Sequence, residues 1–103
     1  MRVLKYEGKE VWYKMELAEK IRTDARLIAK SLLEIAVERG DMREALRVHR
    51  KKFSEFLGFE NADYFVICLQ YLAGKTHMRF DFRDNDFIDV VVSAEMIDFL
   101  ADA

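Results

Sequence analysis

The apolar positions of this chain change period three times, and each change marks a boundary between elements. Ala18, Ile21, Ala25, Ile28, Leu32 and Ile35 recur at alternating steps of three and four, the spacing of one helical face. Leu17, Leu33 and Ala36 widen the stripe beyond a bare coiled-coil seam, which predicts a long amphipathic helix over about residues 15–39. Ahead of it, Val3-Leu4-Lys5-Tyr6 and Val11-Trp12-Tyr13 are β-prone runs on either side of Glu7-Gly8-Lys9, which predicts a hairpin over residues 1–14.

Gly40 suits the position just past a helix end, and Asp41-Met42-Arg43-Glu44 has the spacing of an N-cap followed by a box carboxylate. A second helix is therefore predicted at once, with Met42, Ala45, Leu46, His49, Phe53, Phe56 and Leu57 as its apolar line and Gly58 as its end. So short a link makes the two helices antiparallel neighbours. Asn61 can cap a third element, Ala62 to Ala73, stopped by Gly74; it is apolar on nearly every side, and a helix or a buried strand both fit it.

The period then falls to two. Thr76, Met78, Phe80 and Phe82 alternate with His77, Arg79, Asp81 and Arg83, Asp84-Asn85-Asp86 turns the chain, and Phe87 to Val92 returns. Ser93 is a good N-cap for a last helix from Ala94 to about Asp102. The predicted order is ββαααββα: a single α+β domain over residues 1–103, with two hairpins in one antiparallel sheet and helices on one face.

Charge changes this picture more than composition does. Residues 1–52 hold fourteen Lys and Arg against nine Asp and Glu, whereas residues 79–103 hold two against seven, so the formal net charge of −2 conceals a basic first half and an acidic last quarter. Such a division suits a surface that a partner reads by charge. Absence of Pro and of low-complexity sequence argues against linkers. No apolar run reaches the length that spans a bilayer, and Met1-Arg2-Val3-Leu4-Lys5 lacks the core of a signal peptide, so the expectation is a cytoplasmic protein without membrane contact. Cys68, the one cysteine, lies in the apolar run Tyr64 to Leu69 and is expected to be buried and inert.

On the predicted second helix, Arg43, Arg47 and Arg50 fall at i, i+4 and i+7 beside Lys51 and Lys52, a basic ridge able to clamp carboxylates or phosphates. A solvated face that balances the acidic end of the same molecule explains it equally well. Arg22, Arg26 and Lys30 would extend the ridge if the two helices set them beside it. In the acidic hairpin a turn at Asp84-Asn85-Asp86 sets Asp81 opposite Asp89, a like-charge pair that needs Arg79, Arg83 or a cation to answer it. A divalent-metal site of Asp81, Asp89 and His77 is the sharper reading of that pair, but the segment lacks the alternate oxygen ligands and central Gly of a calcium loop, and no metal or other cofactor is expected. No nucleophile elbow, phosphate-cradling Gly loop, paired Cys or His-Glu-x-x-His motif is present. His49 reads as a core residue of the helix. Thirteen Phe, Tyr and Trp are more than so small a core easily hides, with Trp12, Tyr13, Phe59, Tyr64 and Tyr71 expected to stay partly exposed. Arg39-Gly40-Asp41 matches an adhesion tripeptide but is explained by helix end, breaker and cap.

These features point to a non-enzymatic protein-binding regulator or inhibitor; that it is of the kind phages and mobile elements encode against host defence or nucleic-acid-processing complexes is an expectation for that class and not read from its residues. Its partner would be a larger protein or complex, met through Arg43, Arg47, Arg50 and Lys51 or through Asp84, Asp86, Asp89 and Asp98. The alternative is a small nucleic-acid-binding regulator with a basic helical face, which the acidic end of the chain disfavours. A homodimer through the wide stripe of the first helix is also compatible with the pattern. If the acidic groups imitate phosphates, changing Asp84, Asp86, Asp89 and Asp98 to Lys abolishes target binding; if the arginines clamp an acidic target, changing Arg43, Arg47 and Arg50 to Glu does so, and a binding assay on both variants separates the two.

Overall fold

The computed structural model describes residues 7–102, with side chains from residue 16 onward. The three-four stripe does form a helix, α1, but it runs over Glu7–Arg39. Val11-Trp12-Tyr13, predicted as a strand, is part of it, and Val3 to Tyr6 lies outside the described residues. Once a helix is nucleated, each added residue gains a hydrogen bond, so a β-prone triplet beside a long helix is drawn into it. Ala25, Ile28, Ala29, Leu32 and Ala36 are the fully buried positions of α1, while residues 16–20 are exposed. Gly40 (φ 75°) ends the helix: its N–H donates to the Val37 carbonyl and that of Asp41 to the Ala36 carbonyl. This is the Schellman arrangement, and its left-handed residue is the reason for glycine there.

The predicted second helix is not formed as such. The Asp41 carboxylate accepts from the N–H of Arg43, which closes a turn, and the chain then extends as β1 (Leu46–His49) before a seven-residue helix α2 (Arg50–Phe56). Leu46 and Val48 are buried and Arg47 is exposed, a period of two inside what reads in sequence as a helical line. The pairing partner decides the conflict, because β1 lies antiparallel to a strand at the other end of the chain, a contact that local periodicity does not register. His49 is a half-buried strand end whose Nδ1 accepts from the Lys52 N–H and caps α2. Gly58 (φ 89°) closes α2 with a second Schellman turn, Phe59 N–H to the Ser54 carbonyl and Gly58 N–H to the Glu55 carbonyl.

The third element is a helix, α3 (Ala62–Thr76), and Asn61 caps it as expected, its Oδ1 accepting from the N–H groups of Asp63 and Tyr64. It passes through Gly74 and stops only at His77, which takes the left-handed conformation at φ 59°. Thr76 explains the extra turn: it is fully buried and its hydroxyl donates to the Leu72 carbonyl, so burial holds the helix beyond the glycine. Phe65, Cys68, Leu69 and Leu72 face the core, and α3 packs against α1, α2 and the last helix, the central place its apolar character predicts.

The second predicted hairpin is present as β2 (Arg79–Phe82) and β3 (Phe87–Val91), with Asp81 opposite Asp89. The last helix, α4, spans Glu95–Ala101. Ser93 does not cap it; its hydroxyl donates to the Thr76 carbonyl and ties the start of α4 to the end of α3. The order is thus αβααββα, not ββαααββα, and the described fold is one α+β domain of four helices and a three-stranded antiparallel sheet ordered β1-β3-β2. Leu46, Val48, Ile88 and Val90 point from the sheet into the helical layer.

Phe65 is fully buried and meets Phe53 and Phe59 edge-on, at 5.9 and 5.5 Å between ring centres. Phe65→Ala is expected to cost about 3–5 kcal/mol of unfolding free energy. Phe56, on the predicted apolar line, is 82% exposed, and Phe56→Ala is expected to change stability by no more than about 0.5 kcal/mol. Urea denaturation of both variants checks the contrast.

Candidate interaction surface

Among the described residues, helices cover one face of the sheet. On the other face alternation sets Arg47 of β1, Asp89 and Val91 of β3, and Arg79 and Asp81 of β2, none of them buried. Arg47, Asp89 and Asp81 form one cross-strand row. The Arg47 guanidinium donates to both Asp89 oxygens, at 2.9 and 3.4 Å, and Arg83 approaches the same carboxylate at 3.4 Å. Two cations therefore answer the like-charge pair of Asp81 and Asp89. One is Arg83, as the sequence allows; the other is Arg47, not Arg79. The Arg47 hydrogen bond holds the Asp89 carboxyl below the usual carboxylate range, against the opposing effect of desolvation, and Asp89 in turn raises Arg47.

The other candidate residues are divided among separate places. Arg43 lies in the loop before β1 with its side chain 95% exposed, 3.8 Å from Asp41. Arg50 opens α2; its guanidinium donates to Asp63 at 2.7 Å and its N–H to the Asp86 carbonyl at 2.7 Å. Arg43, Arg47 and Arg50 consequently form no helical ridge, since a loop, a strand and a helix start carry them. Arg50, Lys51 and Asp86 do meet, around a cleft of about 250 Å³. Asp84 closes the hairpin turn by accepting from the N–H groups of Asp86 and Phe87, which lower its carboxyl from the ordinary value.

Asp98 belongs to a different cleft, of about 580 Å³, with Arg22, Arg26 and Lys75. Arg26 does not extend a basic patch. Its guanidinium donates to the carbonyls of Phe99 and Leu100 at the end of α4, where cationic donors satisfy the last free acceptors of a helix. Arg22 pairs with Glu19 one turn away.

A polar cluster on the other side of the core has no counterpart in the sequence reading. Tyr64 of α3 donates to Asp24 of α1 at 2.6 Å, and Lys20 pairs with the same carboxylate at 2.8 Å while lying 4.4 Å over the Tyr64 ring. These residues wall a cleft of about 450 Å³ closed by the loop from Leu57 to Asn61. Burial, then the bond to Asp24, pushes the Tyr64 hydroxyl far above its ordinary value, so it stays protonated and donates to Asp24. The four-residue spacing of Lys20 and Asp24 is legible in sequence; Tyr64, forty positions from Asp24, is not. Cys68 is fully buried beneath this cluster and burial raises its thiol, which leaves little thiolate for chemistry.

Of the aromatics expected to stay partly exposed, Tyr64 and Tyr71 do, Phe59 is buried, and the side chains of Trp12 and Tyr13 lie outside the described residues. Phe56 and Phe82 are the exposed phenylalanines instead, for they lie at the ends of a short helix and an edge strand. Among the described residues no three His, Cys, Asp or Glu side chains are grouped to hold a metal ion; His77 lies 3.4 Å from Glu95, at the end of α3. No described helix is long and apolar enough to cross a membrane. Compared with protein-family models, with curated proteins and with solved structures, the chain matches none.

Because the folded-state value of Asp89 is depressed, its ion pairs stabilise the protein fully above the unfolded carboxylate value near ~3.9, and this contribution is lost as pH falls through the folded value. Asp89→Asn is expected to lower the melting temperature at pH 7 and to bring the variant closer to wild type near pH 2. Thermal melts of both proteins between those limits check the sign.

Proposed function

We propose that the chain is a non-enzymatic protein-binding regulator or inhibitor, and that the uncovered face of the sheet meets its partner, a larger protein or complex. One observation carries the reading: a sheet is packed by helices on one side and on the other presents a charged row that no described residue covers. A sheet face of this kind holds its side chains at fixed spacing, so charge complementarity there selects a partner at low ordering cost. Arg79 and Asp81 are exposed and form no ion pair among the described residues, which leaves both free for a partner's charges. Within this class we favour an inhibitor encoded by a phage or other mobile element and directed at a host defence or nucleic-acid-processing complex, as a prior expectation for the class and not from any residue of this chain.

Among the described residues, neither histidine hydrogen-bonds a Ser, Thr or Cys side chain. His49 Nδ1 is engaged by the Lys52 N–H, and His77 lies beside Glu95. The nucleic-acid alternative depends on a continuous row of free arginines, and Arg47 and Arg50 are engaged with Asp89 and Asp63.

A tagged pull-down from host lysate with nuclease tests the proposal. The expected result is a protein retained after nuclease, lost with Arg83→Glu on the open face and kept with Asp98→Lys on α4. Recovery that vanishes with nuclease would move the function to nucleic-acid binding.

A further inference from the structure

The sheet has two edges, and they differ in kind. In the β2–β3 ladder the Arg83 N–H donates to the Phe87 carbonyl. Antiparallel ladders alternate, so the N–H and C=O groups of Arg79 and Asp81 also point toward β3, and those of Phe80 and Phe82 point outward. Among the described residues no backbone or side-chain group bonds to these outward groups. Phe82 is 49% exposed and Phe80 partly so, which shows that the helical layer stops short of this edge. A free edge is a template for a further strand, and a charged edge ordinarily repels one.

Here the charges select a particular strand. We propose that β2 pairs antiparallel with β2 of a second copy about a two-fold axis through Phe80, joining the two sheets into one of six strands. In that register Phe80 faces Phe80 of the second copy and exchanges both backbone hydrogen bonds with it. Arg79 then lies opposite Asp81 of the second copy, and Asp81 opposite its Arg79, at the positions where facing side chains are closest. Shifting the axis by one residue, to Asp81, sets Asp81 against Asp81 and Arg79 against Arg83. An axis at Phe82 would set Asp81 against Arg83, but Arg83 lies past the end of β2 and is already engaged with Asp89, so the Phe80 register is favoured and its neighbour at Asp81 penalised. The β1 edge offers no equivalent: an axis at Arg47 would oppose two arginines, and Arg39 already occupies the Ala45 carbonyl at its start.

This association needs no partner protein, and because it engages Arg79 and Asp81 it competes with a partner for those two charges. It leaves Arg47, Asp89 and Arg83 exposed and continues the charged face from one copy into the next. A contact of four residues per strand belongs to the small, transient class of interfaces, so the dimer forms at high micromolar concentration or above.

Sedimentation velocity over a wide concentration range tests it, with wild type and three variants whose changes lie on the exposed sheet face. Wild type is expected to shift from monomer to dimer as concentration rises. Arg79→Asp and Asp81→Arg should each remain monomeric where wild type is dimeric, since each puts like charges opposite one another. The double variant, Arg79→Asp with Asp81→Arg, restores both pairs and the dimer, and an equimolar mixture of the two single variants forms a heterodimer more readily than wild type dimerises. Wild type that stays monomeric at every concentration would overturn the proposal. So would a dimer that neither single variant weakens, which would place the contact elsewhere, on α1 for example.

Discussion

Burial of alternate residues of β3 is the constraint on which the rest of the structure depends. Ile88 and Val90 are both fully buried, and their strand lies between the other two. With those side chains committed to the helical layer, the intervening Asp89 has to face solvent, and every residue paired with it is assigned a face as well. Leu46 and Val48 turn inward beside Val90 and Ile88, which makes residues 46–49 a strand despite their place in a helical pattern. The charged face follows from the same alternation.

Electrostatics then work mainly inside the molecule. The basic first half meets the acidic end of the chain at Arg47 and Asp89, and Arg26 meets the carbonyl end of α4. Arg50 is joined to Asp63. Of the charge division that in sequence suggests two surfaces for partners, one ion pair among the described residues, Arg47 with Asp89, joins the two ends of the chain, and Arg26 reaches the last helix through its carbonyls. Exposed pairs of this type contribute little stability individually. Their value here is registry, since a single-residue slip of β1 would set Leu46, not Arg47, opposite Asp89.

What remains open to other molecules is what that internal pairing leaves over. Arg79 and Asp81 lie on the open face of an edge strand, Phe82 is half exposed at its end, and the outward backbone groups of Phe80 and Phe82 are free. Hydrogen-bonding capacity, charge and apolar area coincide on β2, whereas the cleft of Lys20, Asp24 and Tyr64 has its polar groups bonded to one another. This contrast supports the proposal of a recognition role.

The long helix, the Asn61 cap, the glycine at the end of α1, the hairpin around Asp84 and the opposition of Asp81 to Asp89 were all legible in the chain itself. Each depends on spacing or turn chemistry within a few residues. Two things were decided only by tertiary structure, the strand at residues 46–49 and the extension of α3 through Gly74, while the helical state of residues 11–13 goes against their β-prone composition beside a long helix. In each a local preference is overruled, by propagation of a neighbouring helix, by pairing with a strand some forty residues away, and by burial of Thr76. The candidate site divides the same way. The residue types were readable, but a face is defined by what covers it, and that depends on contacts between segments that are distant in sequence.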